Sequence, residues 1–153
     1  MANTFTQLYV HYVFAVQDRL SLIHRKWQDD LYKYMNGIII HQGHKLYVIN
    51  GMTDHIHILI SMSPKQAPSD LMYHLKRSSS MWINQNHLSI GKFSWQEGFG
   101  AFSLGKSQLP EKIKYINEQQ HHHKKASFRE EYLQLLKEND IEYNERYIFK
   151  PID

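Results

Sequence analysis

Asp54-His55-Ile56-His57-Ile58-Leu59-Ile60-Ser61-Met62 is the stretch that decides the fold. Successive side chains of an extended chain point to opposite faces. Ile56, Ile58, Ile60 and Met62 therefore line one face of a strand, and His55, His57, Leu59 and Ser61 the other. The isoleucine face reads as core. The other presents two imidazoles about 7 Å apart along the strand, close enough to converge on one divalent ion. Just upstream, residues 46–51 read as a partner strand, and Gly51-Met52-Thr53-Asp54 turns the chain between the two as a hairpin.

Residues 4–16 alternate as well. Leu8, Val10, Tyr12, Phe14 and Val16 fall on one face, and Gln7, Tyr9, His11 and Val13 on the other. Bulky groups on both faces predict a central strand. Residues 27–42 carry Leu31, Tyr34, Met35 and Ile38 at helical spacing and stop at Gly43. After Pro64 and Pro68, Ser69-Asp70 opens a second helix with Leu71, Leu75, Trp82 and Ile83 inward. Residues 93–96 and 101–104 read as strand segments broken by Glu97-Gly98-Phe99-Gly100. The order strand, helix, strand, strand, helix, strand predicts an α+β, ferredoxin-like (RRM-like) antiparallel sheet with two helices on one face. The imidazoles then lie on the open face of that sheet.

Two more helices follow. Pro110 and Glu111 mark the start of one that runs to about His123. Ser127-Phe128-Arg129-Glu130 is a capping box, and Phe128, Tyr132, Leu135 and Leu136 give the last helix its apolar stripe. Tyr147-Ile148-Phe149 reads either as an edge segment or as a docking tail. Residues 1–153 are thus read as one domain: a sheet unit over 1–104, a helix over 108–123 and a C-terminal helix over 127–139.

Composition narrows the function. The sequence has no cysteine, which excludes disulfides and thiolate metal sites and fits a reducing cytoplasm. The N-terminus shows no secretory signal, and no apolar run is long enough to cross a bilayer. Net charge is +3, unevenly placed: residues 101–129 carry +4 (six basic, two acidic) and residues 130–153 carry −4 (three basic, seven acidic). A basic middle suits a polyanion partner, with Lys76, Arg77, Lys112, Lys124 and Lys125 as candidate phosphate contacts.

In the helix from Pro110, Lys112, Tyr115, Gln119 and His122 form one polar stripe, so Tyr115 and Gln119 stack one turn apart. With an H-x-H strand beside them, the pair points to chemistry: a phenol for attack and an amide oxygen as a third hard ligand. The chain resembles the single-tyrosine HUH transposases of the smallest bacterial insertion sequences. The resemblance rests on the early strand to Val16, the hairpin Gly51-Met52-Thr53-Asp54-His55-Ile56-His57, Trp95-Gln96, and Tyr115-Ile116-Asn117-Glu118-Gln119-Gln120-His121-His122 leading into Ser127-Phe128.

That resemblance implies His55, His57 and Gln119 as ligands of Mg²⁺ or Mn²⁺ and Tyr115 as a nucleophile that forms a covalent 5′-phosphotyrosine. It implies single-stranded DNA with a hairpin at element ends as substrate, and a cytoplasmic, nucleoid-associated bacterial or archaeal enzyme. His122 could approach the tyrosine stripe. It also implies a homodimer in which the tyrosine helix of one chain completes the other's site, with Gly105-Lys106-Ser107 as the flexible link. Two other readings use the same residues. One is a non-catalytic single-stranded nucleic-acid-binding module with exposed Tyr9 and His11. The other is a domesticated transposase that processes repeated hairpins of its host.

Overall fold

The structure is a computed structural model and describes residues 3–122 and 126–151. Four strands, β1 (Tyr9–Ala15), β2 (Lys45–Gly51), β3 (His55–Ser61) and β4 (Gly100–Leu104), form one antiparallel sheet in the order β2-β3-β1-β4. With helices α1 (Arg25–His41) and α2 (Pro68–Gln85) in the two crossovers, this is the ferredoxin-like arrangement. β1 and β3 are the central pair. Their register sets Ala15 opposite His55, Val13 opposite His57 and His11 opposite Leu59.

The isoleucine face is covered as its pattern requires. α1 starts where His24 Nδ1 accepts from Lys26 N at 3.1 Å. It buries Trp27, Leu31, Tyr32, Met35 and Ile39 and ends ahead of Gly43, whose φ of +92° suits glycine. Leu31 and Met35 face inward as expected, while Tyr32 and Ile39 are buried in place of Tyr34 and Ile38. α2 opens on Pro68 and buries Leu71, Met72, Leu75, Ser79 and Ile83. Residues 93–96, expected as a strand, make a single bridge between Trp95 and Val16.

The other face is not open. Helices α3 (Leu109–Asn117), α4 (Gln119–His122) and α5 (Phe128–Glu138) lie over it. The predicted helix over 108–123 is broken at Glu118. There Asn50 Nδ2 donates to Ile116 O (2.9 Å) and Asn117 O (3.2 Å), and Gln120 Nε2 donates to Gly51 O at 3.1 Å. The Asn50 bonds satisfy the last carbonyls of α3, and together the three bonds fasten α3 and α4 to β2. Leu59 and Ile116 are fully buried with Val48 and Leu109 in a second apolar cluster. Removing such side chains from water is worth about 2 kcal/mol each, so apolar contact closes this layer more than helix propensity does.

α5 begins at Ser127, whose Oγ accepts from Glu130 N at 3.2 Å, and buries Phe128, Tyr132, Leu135 and Leu136. Gly100 lets it approach: a Cβ there would lie 2.8 Å from Tyr132 Cε1. The C-terminal stretch is a docking tail. Ile148 and Phe149 are buried, and Phe149 packs on Phe128 and Tyr132. Gln96 clamps it, donating from Nε2 to Val16 O and Lys150 O (3.0 Å each) and accepting from Lys150 N at 2.9 Å. Among the described residues no helix is long and apolar enough to cross a membrane.

Candidate active site

His55 and His57 project from β3 beneath α3–α5 and are fully buried rather than exposed on an open sheet. Phe128 stacks on His55 with ring centroids 4.0 Å apart. The side chains around the pair converge on one carboxylate, Glu131 of α5. His57 Nε2 is 3.1 Å and His55 Nε2 3.4 Å from Glu131 Oε1. Glu131 Oε2 accepts from Gln119 Nε2 at 2.8 Å and from the Tyr115 hydroxyl. Gln119 Oε1 lies 3.0 Å from His55 Nε2. The far nitrogens are held too, His55 Nδ1 by Asp54 Oδ1 at 2.7 Å and His57 Nδ1 by His11 Nε2 at 2.8 Å. Tyr115 is half-buried and lines a cleft together with Lys112, Glu118, Glu130 and Glu138.

One donor atom each from His55, His57 and Glu131 lie within 4.8 Å of one another. Two imidazoles, a carboxylate and the Gln119 amide oxygen beside them fit a divalent ion with nitrogen and oxygen ligands. Burial and the Glu131 charge push the Tyr115 phenol well above its ordinary pKa, so it is protonated in this arrangement. Burial lowers the Lys112 ammonium against the pull of Glu138 and Glu131; its Nζ sits 5.1 Å from the Tyr115 ring centroid.

Two buried imidazoles give the metal-free protein opposite pH trends. Burial lowers the pKa of His55, but its hydrogen bonds to and the charges of Asp54 and Glu131 outweigh that and raise it from 6.5 to about 9. Its contribution to stability, on the order of 3 kcal/mol, is full below pH 6.5 and lost as pH rises through about 9. Burial, with the charges of His57 and Lys112, holds His11 well below 6.5 against Glu131. It therefore costs stability as pH falls below 6.5, where the unfolded imidazole takes a proton. Urea denaturation in excess chelator is expected to show greatest stability near pH 6.5 and a decline on both sides. A flat profile from 6.5 to 9 contradicts the His55 assignment.

Residues 4–119 match the family described as Transposase IS200 like. The chain belongs to the IS200-like transposase family. The ISDra2 transposase TnpA of Deinococcus radiodurans is 27% identical over 118 residues, which span 74% of this transposase and 84% of that protein. A solved transposase structure from Deinococcus radiodurans superposes with a TM-score of 0.59 at 20% identity, covering 78% of this transposase and 95% of that chain. A REP-associated tyrosine transposase solved bound to a REP hairpin gives a TM-score of 0.58 at 12% identity, over 80% of this transposase and 73% of that chain.

The transposase thus brings Tyr115, His55, His57 and Gln119 together, with Lys112 at the cleft. It does not bring Lys76 and Arg77 there. Both sit on α2, across the sheet from Tyr115. Lys76 Nζ donates to Gln96 O and Gly98 O at 2.7 and 2.8 Å, and burial lowers it to about 8. That ammonium is committed to backbone rather than presented to phosphate. Arg77 is exposed and donates to Tyr73 Oη at 2.8 Å. The expected contacts of Lys124, Lys125 and the His122 side chain fall outside the described residues.

Three site residues escaped the sequence reading. In the sequence Asp54 reads only as a turn residue. His11 reads as lying on an exposed face, yet it is fully buried because α3 and α5 cover that face. Glu131 carried a signal in the pattern: with Phe128, Tyr132 and Leu135 it occupies i+3 of an i, i+4, i+7 stripe, an acid set inside an apolar face.

Proposed function

We propose that this transposase cleaves and rejoins single-stranded DNA at insertion-sequence ends through a covalent phosphotyrosine on Tyr115. One observation carries the reading: the tyrosine hydroxyl, both imidazoles of the H-x-H pair and the Gln119 amide all meet on Glu131. Tyr115 Oη forms a bond to phosphorus as the bond from phosphorus to the 3′ oxygen breaks. The phenolic proton has an acceptor in Glu131 Oε2, and the leaving 3′ oxygen takes a proton from water. A DNA 3′-hydroxyl reverses the step, because the 5′-phosphotyrosine conserves the phosphoester bond. His55 and His57, with Gln119 and Glu131 as oxygen donors, would hold Mg²⁺ or Mn²⁺, which when bound polarises and orients a phosphate oxygen.

The substrate we assign is single-stranded DNA carrying a hairpin, as the fold neighbour solved with a REP hairpin suggests, and the setting is the cytoplasm at the nucleoid. The test is a labelled hairpin oligonucleotide incubated with the protein and Mn²⁺, then run on a denaturing gel. A covalent adduct is expected with the single-stranded substrate and not with a blunt duplex of the same length. Salt-sensitive binding without any adduct would instead support the non-catalytic module. Cleavage confined to hairpins repeated across the host genome would support the domesticated form.

We extend the reading to a homodimer. Within one chain the tyrosine helix already seats on its own sheet through Asn50 and Gln120. The link ahead of it is a 3-10 turn, Lys106–Gln108, with Gly105 N donating to Gln108 Oε1 at 2.8 Å. Exchange of α3 between chains would have to undo both features. Mixing His57→Ala with Tyr115→Phe chains after demonstrated subunit exchange tests it. Shared sites restore cleavage, and self-contained sites leave the mixture inactive.

A further inference from the structure

We infer that His11 is the positioning residue for His57: its Nε2 accepts a hydrogen bond from His57 Nδ1–H and so turns the His57 Nε2 lone pair toward the metal. The inference rests on the reading of His55 and His57 as ligands.

The first support is geometric. His11 Nε2 lies 2.8 Å from His57 Nδ1, and the two rings meet edge to edge, their centroids 5.0 Å apart and their planes 21° from parallel. An imidazole offers Nε2 to a cation only when its own proton sits on Nδ1, and that proton needs an acceptor. Asp54 Oδ1 fills this place for His55, at 2.7 Å. His11 fills it for His57, with a neutral acceptor that adds no charge to the site.

The second support is what His11 lacks. It is fully buried, and its other nitrogen, Nδ1, has no hydrogen-bond partner. Its neighbours are the Phe102 ring at 5.8 Å and the Tyr115 ring at 6.5 Å, with Leu59 opposite on β3. When Nε2 accepts from His57, the His11 proton must sit on that orphaned atom. An unsatisfied buried donor works against folding, so packing alone would favour an apolar side chain here. A histidine at this position serves the one hydrogen bond it makes.

The test compares His11→Phe, which removes the acceptor, with His11→Gln, which returns an oxygen near the position of Nε2. Mn²⁺ affinity is read from the free-ion signal in electron paramagnetic resonance, and stability from thermal melts in chelator. His11→Phe is expected to bind Mn²⁺ about 10–100-fold more weakly, the usual loss when a partner of a ligand histidine is removed. Its melting temperature in chelator should stay close to that of the parent, since the bond lost at His57 Nδ1 is offset by removal of the orphaned His11 Nδ1. His11→Gln should stay within a few-fold of the parent. A purely structural His11 predicts the reverse, a lower melting temperature with unchanged affinity in the folded chain. If the phenyl ring prevents folding, His11→Leu asks the same question. A folded apolar variant that binds Mn²⁺ as tightly as the parent overturns the inference, as does a glutamine variant as weak as the apolar one. Failure of the parent itself to bind Mn²⁺ rejects the ligand reading, and the role of His11 falls with it.

Discussion

Tyr115→Phe is expected to abolish the covalent adduct while leaving single-stranded DNA binding intact. The loss in cleavage should be about 10⁴-fold or more, because removing a nucleophile leaves only binding and electrostatics to act. The fold should survive. The Tyr115 ring packs edge-on against His57 and His11, contacts that phenylalanine keeps. Glu131 retains Gln119 Nε2 at 2.8 Å and His57 at 3.1 Å. The lost hydrogen bond is therefore worth about 1 kcal/mol. Tyr132 is a poor substitute: it is buried among Phe102, Phe128 and Phe149, where burial raises its pKa to about 12. Adduct formation by the phenylalanine variant, seen on a denaturing gel, would place the nucleophile elsewhere and reject the site.

His57→Ala carries the second large effect. The substitution removes a nitrogen that faces Glu131 and one that faces His11, so both partners lose a bond in a fully buried place. A destabilisation of about 1–3 kcal/mol follows from the unsatisfied groups. The larger loss is chemical. Mn²⁺ binding should fall below detection, and cleavage by on the order of 10³-fold, since in the proposed mechanism the ion would act as the Lewis acid for the phosphate. Parent protein in excess chelator should behave as the variant does. Full cleavage in chelator would show that the imidazoles act without a metal.

The parts of the molecule legible in the sequence were those set by local periodicity. Alternation in residues 54–62 placed the histidines on one face, and Ser127 marked the start of α5. Which faces are covered is a tertiary property, and there the pattern spoke less plainly. Leu59 on the histidine face and Val13 beside His11 were signs that this face is buried, but each is a single residue. Glu131 was hidden for a different reason. Its neighbour Glu130 explained the local acid as part of a cap, and only the docking of α5 on Phe102 and Gly100 brings it to His57. The fate of Lys76 depended on Gln96 and Gly98, twenty residues away, whose carbonyls no spacing rule connects to it.

The site draws on nearly the whole length of the chain: His11 from the first strand, the histidine pair from the third, Tyr115 and Gln119 from α3 and α4, and Glu131 from α5. The tail that braces α5 is clasped by Gln96 only at Lys150. During synthesis a chain emerges from its N-terminus, and contacts this distant in sequence form last. A growing chain therefore carries its histidine pair long before it has the carboxylate that gathers the site. Competence waits for α5, and a product cut short before that helix is left with a sheet and no assembled centre.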